Sequence, residues 1–315
     1  QSWYGRMSFE TPITDQDGVL SGPLRAPANM LLEQEYGGHK SIHDDAEAER
    51  LGFRAGPIEG PTHFSQFDPL LVHLWGKDWF ERGCISCHYK NMVVEGEQVR
   101  AFVKPITETR AECWAEKADG TQVLEASATL GPDHGETLLE SRMAKLRPAG
   151  ELVILADLSV GMTGREDESV KMAADQNMGA LYPFSLTEKL EKITERSAWY
   201  DDATTSPWGR AIIPTEMISV LAEYSSRKAG FPSKGPVIGL FADLEIRYLN
   251  GPLFVGEEYL IRREIVALAQ GRRTENYWTR TRIFDASGKT QMAESLLNHG
   301  VLKHSYADYP KELLA

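Results

Sequence analysis

Gly56-Pro57-Ile58-Glu59-Gly60-Pro61-Thr62 leads into an apolar stretch that ends at Leu74-Trp75-Gly76, and the same arrangement occurs a second time. The second occurrence is Arg210-Ala211-Ile212-Ile213-Pro214-Thr215, followed by Met217, Val220, Leu221 and Tyr224 at helical spacing and a stop at Gly230. Self-similarity over so long a period marks tandem copies of one structural unit. Further on, Met92-Val93-Val94-Glu95-Gly96-Glu97 returns as Leu253-Phe254-Val255-Gly256-Glu257-Glu258. Likewise, Ala111-Glu112-Cys113-Trp114-Ala115-Glu116 with Asp119-Gly120 returns as Asn276-Tyr277-Trp278-Thr279-Arg280 with Ser287-Gly288. Each copy reads as loop, helix, then strands joined by tight turns, Asp119-Gly120 being the stronger hairpin signal.

Strands such as Glu258-Tyr259-Leu260-Ile261-Arg262-Arg263-Glu264-Ile265-Val266 mix apolar and charged residues, which suits an antiparallel sheet with one wet face. The fold class is therefore α+β: an antiparallel sheet wrapped on a central helix, twice over, with both helices sharing one continuous sheet. The polar stretch from Glu136 to Gly150 places the junction between an N-terminal module, 1–150, and a C-terminal module, 151–315. Asp68-Pro69 falls inside the first helical stretch. Proline removes a donor and clashes one turn back, so the helix must kink or restart there, unlike its counterpart in the second copy.

Several function classes are disfavoured by composition. Lys plus Arg is 34 against 46 for Asp plus Glu, a net charge of −12. Nonspecific binding to nucleic acid or to an anionic membrane wants the opposite sign. Arg262-Arg263 and Arg272-Arg273 are local candidates for a phosphorylated ligand, and exposed strand arginines explain them equally well. No apolar run reaches the ~18 to 20 residues of a membrane span, and Gln1-Ser2-Trp3-Tyr4-Gly5-Arg6 has no signal-peptide pattern. Three cysteines argue against a disulfide framework and for a reducing compartment, so the expected location is the cytoplasm. Cys84-Ile85-Ser86-Cys87-His88 has the look of a metal knuckle, but no second ligand pair stands at a useful spacing, and on a strand the two cysteines face opposite ways. No metal and no cofactor are expected.

The chemistry-bearing segment is Tyr36-Gly37-Gly38-His39-Lys40-Ser41-Ile42-His43-Asp44-Asp45, followed by Gly52-Phe53 and Pro57-Ile58-Glu59-Gly60. Order and spacing resemble the MaoC-like dehydratases, or (R)-specific enoyl-CoA hydratases. The pattern of that family runs Asp-x-Asn-Pro-Ile-His-x-Asp, then Gly-Phe, Pro-Ile-x-His-Gly and the central helix of a hot-dog fold. The local match covers about residues 36 to 76, and a double hot-dog layout accounts for most of the rest. The resemblance implies a hydro-lyase acting on an acyl thioester such as a CoA ester. His43 would be the acid/base imidazole, and the backbone N–H near Gly60 would polarise the thioester carbonyl. It also implies, by analogy, a homodimer.

The residues depart from that pattern at three places. Gly38 stands where the family has its catalytic Asp, Lys40 where it has Asn, and Glu59 where it has the His before Gly. Glu59, His39 and His63, all close to His43 in sequence, are the candidates to supply the missing group. Gly38, Lys40, Asp45, Thr62 and His63 are expected at substrate-binding positions around them. Asp45 also sits where an N-cap is wanted before Ala46-Glu47-Ala48-Glu49. The second copy carries Trp199-Tyr200-Asp201-Asp202 before its helix and lacks the His-x-Asp core, so the N-terminal copy is expected to hold the site. Two alternatives stand beside the lyase: a hot-dog thioesterase, which Glu59 at the helix entrance would suit, and an acyl-binding protein without turnover.

Overall fold

The computed structural model describes residues 8–31, 42–50 and 56–314, with backbone placement alone at 35–36 and 39–40. In chain order the strands are β1 (Thr14–Gln16), β2 (Val19–Ser21), β3 (Glu35–Tyr36), β4 (His39–Lys40), β5 (Gly83–Tyr89), β6 (Val99–Thr107) and β7 (Arg110–Lys117). They continue with β8 (Gln122–Leu130), β9 (Glu168–Lys171), β10 (Gly239–Tyr248), β11 (Glu258–Gln270), β12 (Thr274–Asp285) and β13 (Gln291–Leu302). β3 and β4 pair with each other. The remaining strands form one 11-stranded sheet in the order β1-β2-β6-β7-β8-β5-β10-β13-β12-β11-β9.

That order is the tandem repeat made visible. β6-β7-β8-β5 and β11-β12-β13-β10 are the same motif, joined back to back where β5 meets β10 with Ser86 opposite Glu245. Backbone hydrogen bonds repeat position by position. Ile58 N–H donates to Val93 O (2.7 Å), as Ile213 N–H does to Leu253 O (2.8 Å). The Asn91 side chain donates to Gln122 O (2.7 Å) and that of Asn250 to Gln291 O (2.8 Å), just after Tyr89 and Tyr248. Both turns foreseen from sequence are present. Gly120 and Gly288 take φ of +89° and +74°, where glycine has no side chain to clash.

Each helix lies where its neighbours require. In the first copy a 3-10 helix, Gly60–Gln66, precedes the α-helix Asp68–Trp75, so the helix restarts at Asp68 with Pro69 in its first turn, where a missing N–H costs no bond. The second copy has an uninterrupted helix, Thr215–Glu223, buried along its whole length as a helix enclosed by sheet must be. Strand alternation assigns faces: Ile85 and Cys87 join the main core with these helices, whereas Ser86 accepts the Leu139 N–H (2.9 Å) of a helix, Leu138–Ala144, on the other face. Cys84 and Cys87 thus do face opposite ways, and His88 bonds Asp243 (2.7 Å). Arg263 departs from the exposed-arginine expectation. It is buried and paired with Glu168 (2.7 Å), because β9 closes over that edge of the sheet.

Asp68 ties the two helices together. Its carboxylate accepts hydrogen bonds from Trp79 Nε1 (2.9 Å), Thr215 Oγ1 (2.8 Å) and Tyr200 OH (3.3 Å). Burial nonetheless outweighs these donors and pushes its pKa from 3.8 up to about 7. The folded chain therefore holds this proton more tightly than the unfolded chain. The stability it contributes is complete below about pH 4 and is lost as pH rises through about 7. We expect Asp68→Asn to flatten the fall in unfolding free energy between about pH 4 and 7, by at most ~1.4 kcal/mol per pH unit. Urea titrations of both proteins across that range check this.

Candidate active site

A cavity of about 460 Å³ opens between the two copies. His43, Glu59, Gly60, His63 and Tyr89 line it from the first, and Phe241, Tyr277 and His299 from the second.

His43 is held by its own loop. Asn29 Nδ2 donates to His43 O (3.0 Å), and the Asp45 carboxylate accepts the Gly56 N–H (2.8 Å). Gly56 passes so close that an added Cβ would lie 2.2 Å from His43 O, so this crossing requires glycine. The cap of the helix Asp45–Arg50 is Asp44, whose side chain accepts the Glu47 N–H (3.0 Å). Asp45 is instead committed to Gly56, which corrects the expected cap. His43 Nδ1 stands 2.6 Å from Pro57 O. A carbonyl only accepts, so Nδ1 carries the proton and, in the neutral ring, Nε2 carries the lone pair. Burial lowers the pKa of His43 to about 4, with the Pro57 bond opposing, so the ring is neutral near pH 7.

Glu59 immediately precedes the 3-10 helix and is 6% exposed. Its Oε1 is buried without a hydrogen-bond partner among the described residues. Burial raises its pKa to about 7, with Lys189 pulling down and Glu216 pushing up. His63, one turn on and 3% exposed, has a buried Nδ1 equally without a partner. Burial and Lys189 lower its pKa to about 4. A buried polar atom left unpaired costs ~1 to 3 kcal/mol, a cost expected at a site that binds something. Gly60 opens the helix, where N–H groups have no intrahelical acceptor. The first copy opens on a 3-10 turn rather than on an unbroken helix, so its first amides have little macrodipole behind them. An added Cβ on Gly60 would lie 2.6 Å from Cζ of Tyr89, whose ring stacks on Phe64 at 6.4 Å.

The second copy supplies an internal control. Thr215 occupies the place of Gly60, and its Oγ1 bonds both Asp68 (2.8 Å) and the hydroxyl of Tyr248 (3.1 Å), the counterpart of Tyr89. Pro214 and Ile218 stand for Glu59 and His63. In the second copy the position carries a satisfied side chain; in the first the Tyr89 ring fills the space beside Gly60, while Glu59 and His63 keep buried polar atoms without partners among the described residues on the cavity wall.

Among the residues anticipated from sequence, His43, Glu59, Gly60 and His63 share the cavity wall. Thr62 is buried and Asp45 is committed to Gly56, and neither is on that wall. Gly38 and Gly52-Phe53 lie outside the described residues, as do the side chains of His39 and Lys40, whose backbones pair in β4. Sequence reasoning missed His299. It stacks on Tyr277 at 4.3 Å and meets Thr279 Oγ1 at 3.2 Å, and burial together with Arg263 lowers its pKa to about 3. It lies on β13 with no motif around it. Among the described residues no cluster of three or more His, Cys, Asp or Glu could hold a metal, and no helix is long and apolar enough to cross a membrane.

No family model and no curated protein sequence matches the chain. Solved structures do. A protein classed as a MaoC domain dehydratase from Chloroflexus aurantiacus aligns with a TM-score of 0.54 at 15% identity, over 94% of this chain and 95% of that one. A conserved protein from Mycobacterium tuberculosis with a double hot-dog fold aligns with a TM-score of 0.53 at 10% identity, over 93% and 96%. An inactive mutant of the CurJ dehydratase aligns with a TM-score of 0.50 at 8% identity, over 98% of each chain. At these identities the likeness is one of architecture, and it covers nearly the whole molecule: the chain has the double hot-dog fold.

Proposed function

We propose that the chain is a hydro-lyase that removes water from, or adds it to, an acyl thioester or a similarly activated carbonyl compound. The observation that carries this reading is the contrast between the copies: Glu59, Gly60 and His63 line the cavity, whereas their counterparts Pro214, Thr215 and Ile218 are buried away from its wall. The division into a catalytic module, 1–150, and a pocket-walling module, 151–315, belongs to the same proposal.

In the dehydration direction the carbonyl oxygen accepts the Gly60 N–H, which stabilises the enolate formed next. His43 Nε2 takes the C2 proton. The C3–O bond breaks as protonated Glu59 gives its proton to the departing hydroxyl, leaving water and a C2–C3 double bond. Hydration is the reverse, with Glu59 accepting a proton from the attacking water. Glu59 thereby fills the role left by Gly38. Dehydration needs Glu59 protonated and His43 neutral, so kcat/KM is expected to fall above about pH 7 and below about pH 4.

A panel of 3-hydroxyacyl and enoyl thioesters, followed by enoyl absorbance and by thiol release, tests the reading. Chromophore change that His43→Ala abolishes supports it. Thiol release instead identifies a thioesterase, and calorimetric binding with neither signal identifies a carrier without turnover.

A further inference from the structure

Lys189 belongs to the helix Leu186–Lys192, which precedes the central helix of the second copy. Its side chain is 2% exposed, and its ammonium lies 2.8 Å from Glu216 Oε2 on a side chain 3% exposed. The other Glu216 oxygen accepts Ser65 Oγ (2.6 Å). Ser65 sits in the same 3-10 turn as Gly60 and His63. A buried ion pair is thus hydrogen-bonded to the back of the turn whose front lines the cavity.

Stability alone does not account for such a pair. The desolvation of two charges offsets most of their attraction, and well-packed apolar residues of similar volume commonly do as well or better. A buried charge does act strongly on neighbouring ionisable groups, because little water screens it. Lys189 and Glu216 act on Glu59 through space with opposite signs, and Tyr89, whose hydroxyl burial keeps protonated, feels the Glu59 charge in turn. His63, one turn along, is held neutral by burial and by the same Lys189.

We propose that Lys189 and Glu216 are positioning residues for the reaction: Lys189 sets, through space, the charge state of Glu59 and His63, and Glu216 fixes Lys189 to their turn through Ser65. This rests on the reading of Glu59 as the acid.

The isosteric variants Lys189→Met and Glu216→Gln separate this from a packing role. Glu59 is titrated directly by ¹³C NMR in protein labelled at the glutamate carboxyl, its resonance assigned by its loss in Glu59→Gln. Lys189→Met is expected to raise the Glu59 midpoint and Glu216→Gln to lower it, each by about one pH unit. The alkaline limb of the pH–rate profile should move the same way in each. If either single variant fails to fold, Lys189→Met with Glu216→Gln removes both ions together and strands neither. Its midpoint is expected above the wild-type value, since Lys189 is the stronger influence. Midpoints unmoved in every folded variant, or moved in the same direction by both single changes, overturn the proposal. Turnover unchanged by Glu59→Gln would instead remove the acid role, whatever the titrations show.

Discussion

Glu59→Gln is expected to lower dehydration kcat/KM by roughly 10²- to 10⁴-fold, the usual worth of a positioned acid or base. The amide has the shape of the acid and cannot give up a proton to the leaving hydroxyl. The residual activity should also lose its fall above about pH 7, because the group responsible for that limb is gone. Stability should move the other way or hardly at all. The carboxylate has a buried oxygen without a partner, so a neutral side chain in its place removes a desolvation cost. A drop in kcat/KM with an unchanged or raised denaturation midpoint identifies a residue kept for chemistry. Steady-state kinetics from pH 4 to 9, with urea denaturation of both proteins, read both effects.

Phe80→Ala is expected to cost about 3 to 5 kcal/mol, the range for deleting a fully buried aromatic ring. Phe80 belongs to the short helix Asp78–Arg82 of the first copy and is fully buried. Its ring meets Trp199 at 6.1 Å, Tyr200 at 6.4 Å, Trp208 at 6.4 Å and Tyr248 at 6.2 Å, all edge-on and all beyond residue 150. Edge-to-face pairs add to the area term. The cavity left behind has large rigid neighbours and cannot collapse easily. This contact joins the two copies, as do the β5–β10 pairing and the Asp68 network. The chain should therefore unfold in one transition, which Phe80→Ala shifts without splitting. Urea titrations followed by tryptophan fluorescence and by far-UV circular dichroism check both points; non-coincident curves for the wild type would show two independent modules.

Features with a local cause were legible in the sequence. The restart at Asp68-Pro69, the Asp119-Gly120 turn and the opposed faces of Cys84 and Cys87 each follow from geometry within a few residues. The repeat was legible because loop, apolar helical stretch and strands follow one another in the same order and at similar spacing after Ile58 and after Ile213, whose backbones make the same bond in both copies. Local reasoning failed where one position was ambiguous between neighbours, as with Asp44 and Asp45, both of which could cap the same helix. It failed again where a role depends on distant chain. Lys189 reads as an ordinary helix lysine until Glu216 is brought against it. Arg263 reads as a wet-face arginine until β9 covers it. His299 and Tyr277 become a wall of the cavity when β13 is laid beside β12. Tyr89 gains meaning by comparison with Tyr248, and nothing in either local sequence signals that pairing.

The proposed reaction requires an acyl carbonyl to enter the space between the His43 ring and the Gly60 amide. A crystal of Glu59→Gln soaked with a 3-hydroxyacyl thioester tests it most directly. The carbonyl oxygen is expected about 3 Å from the Gly60 nitrogen, with C2 facing His43 Nε2 and the C3 hydroxyl beside the side chain at position 59. Density for the acyl group elsewhere on the protein, with this cavity empty, would contradict it.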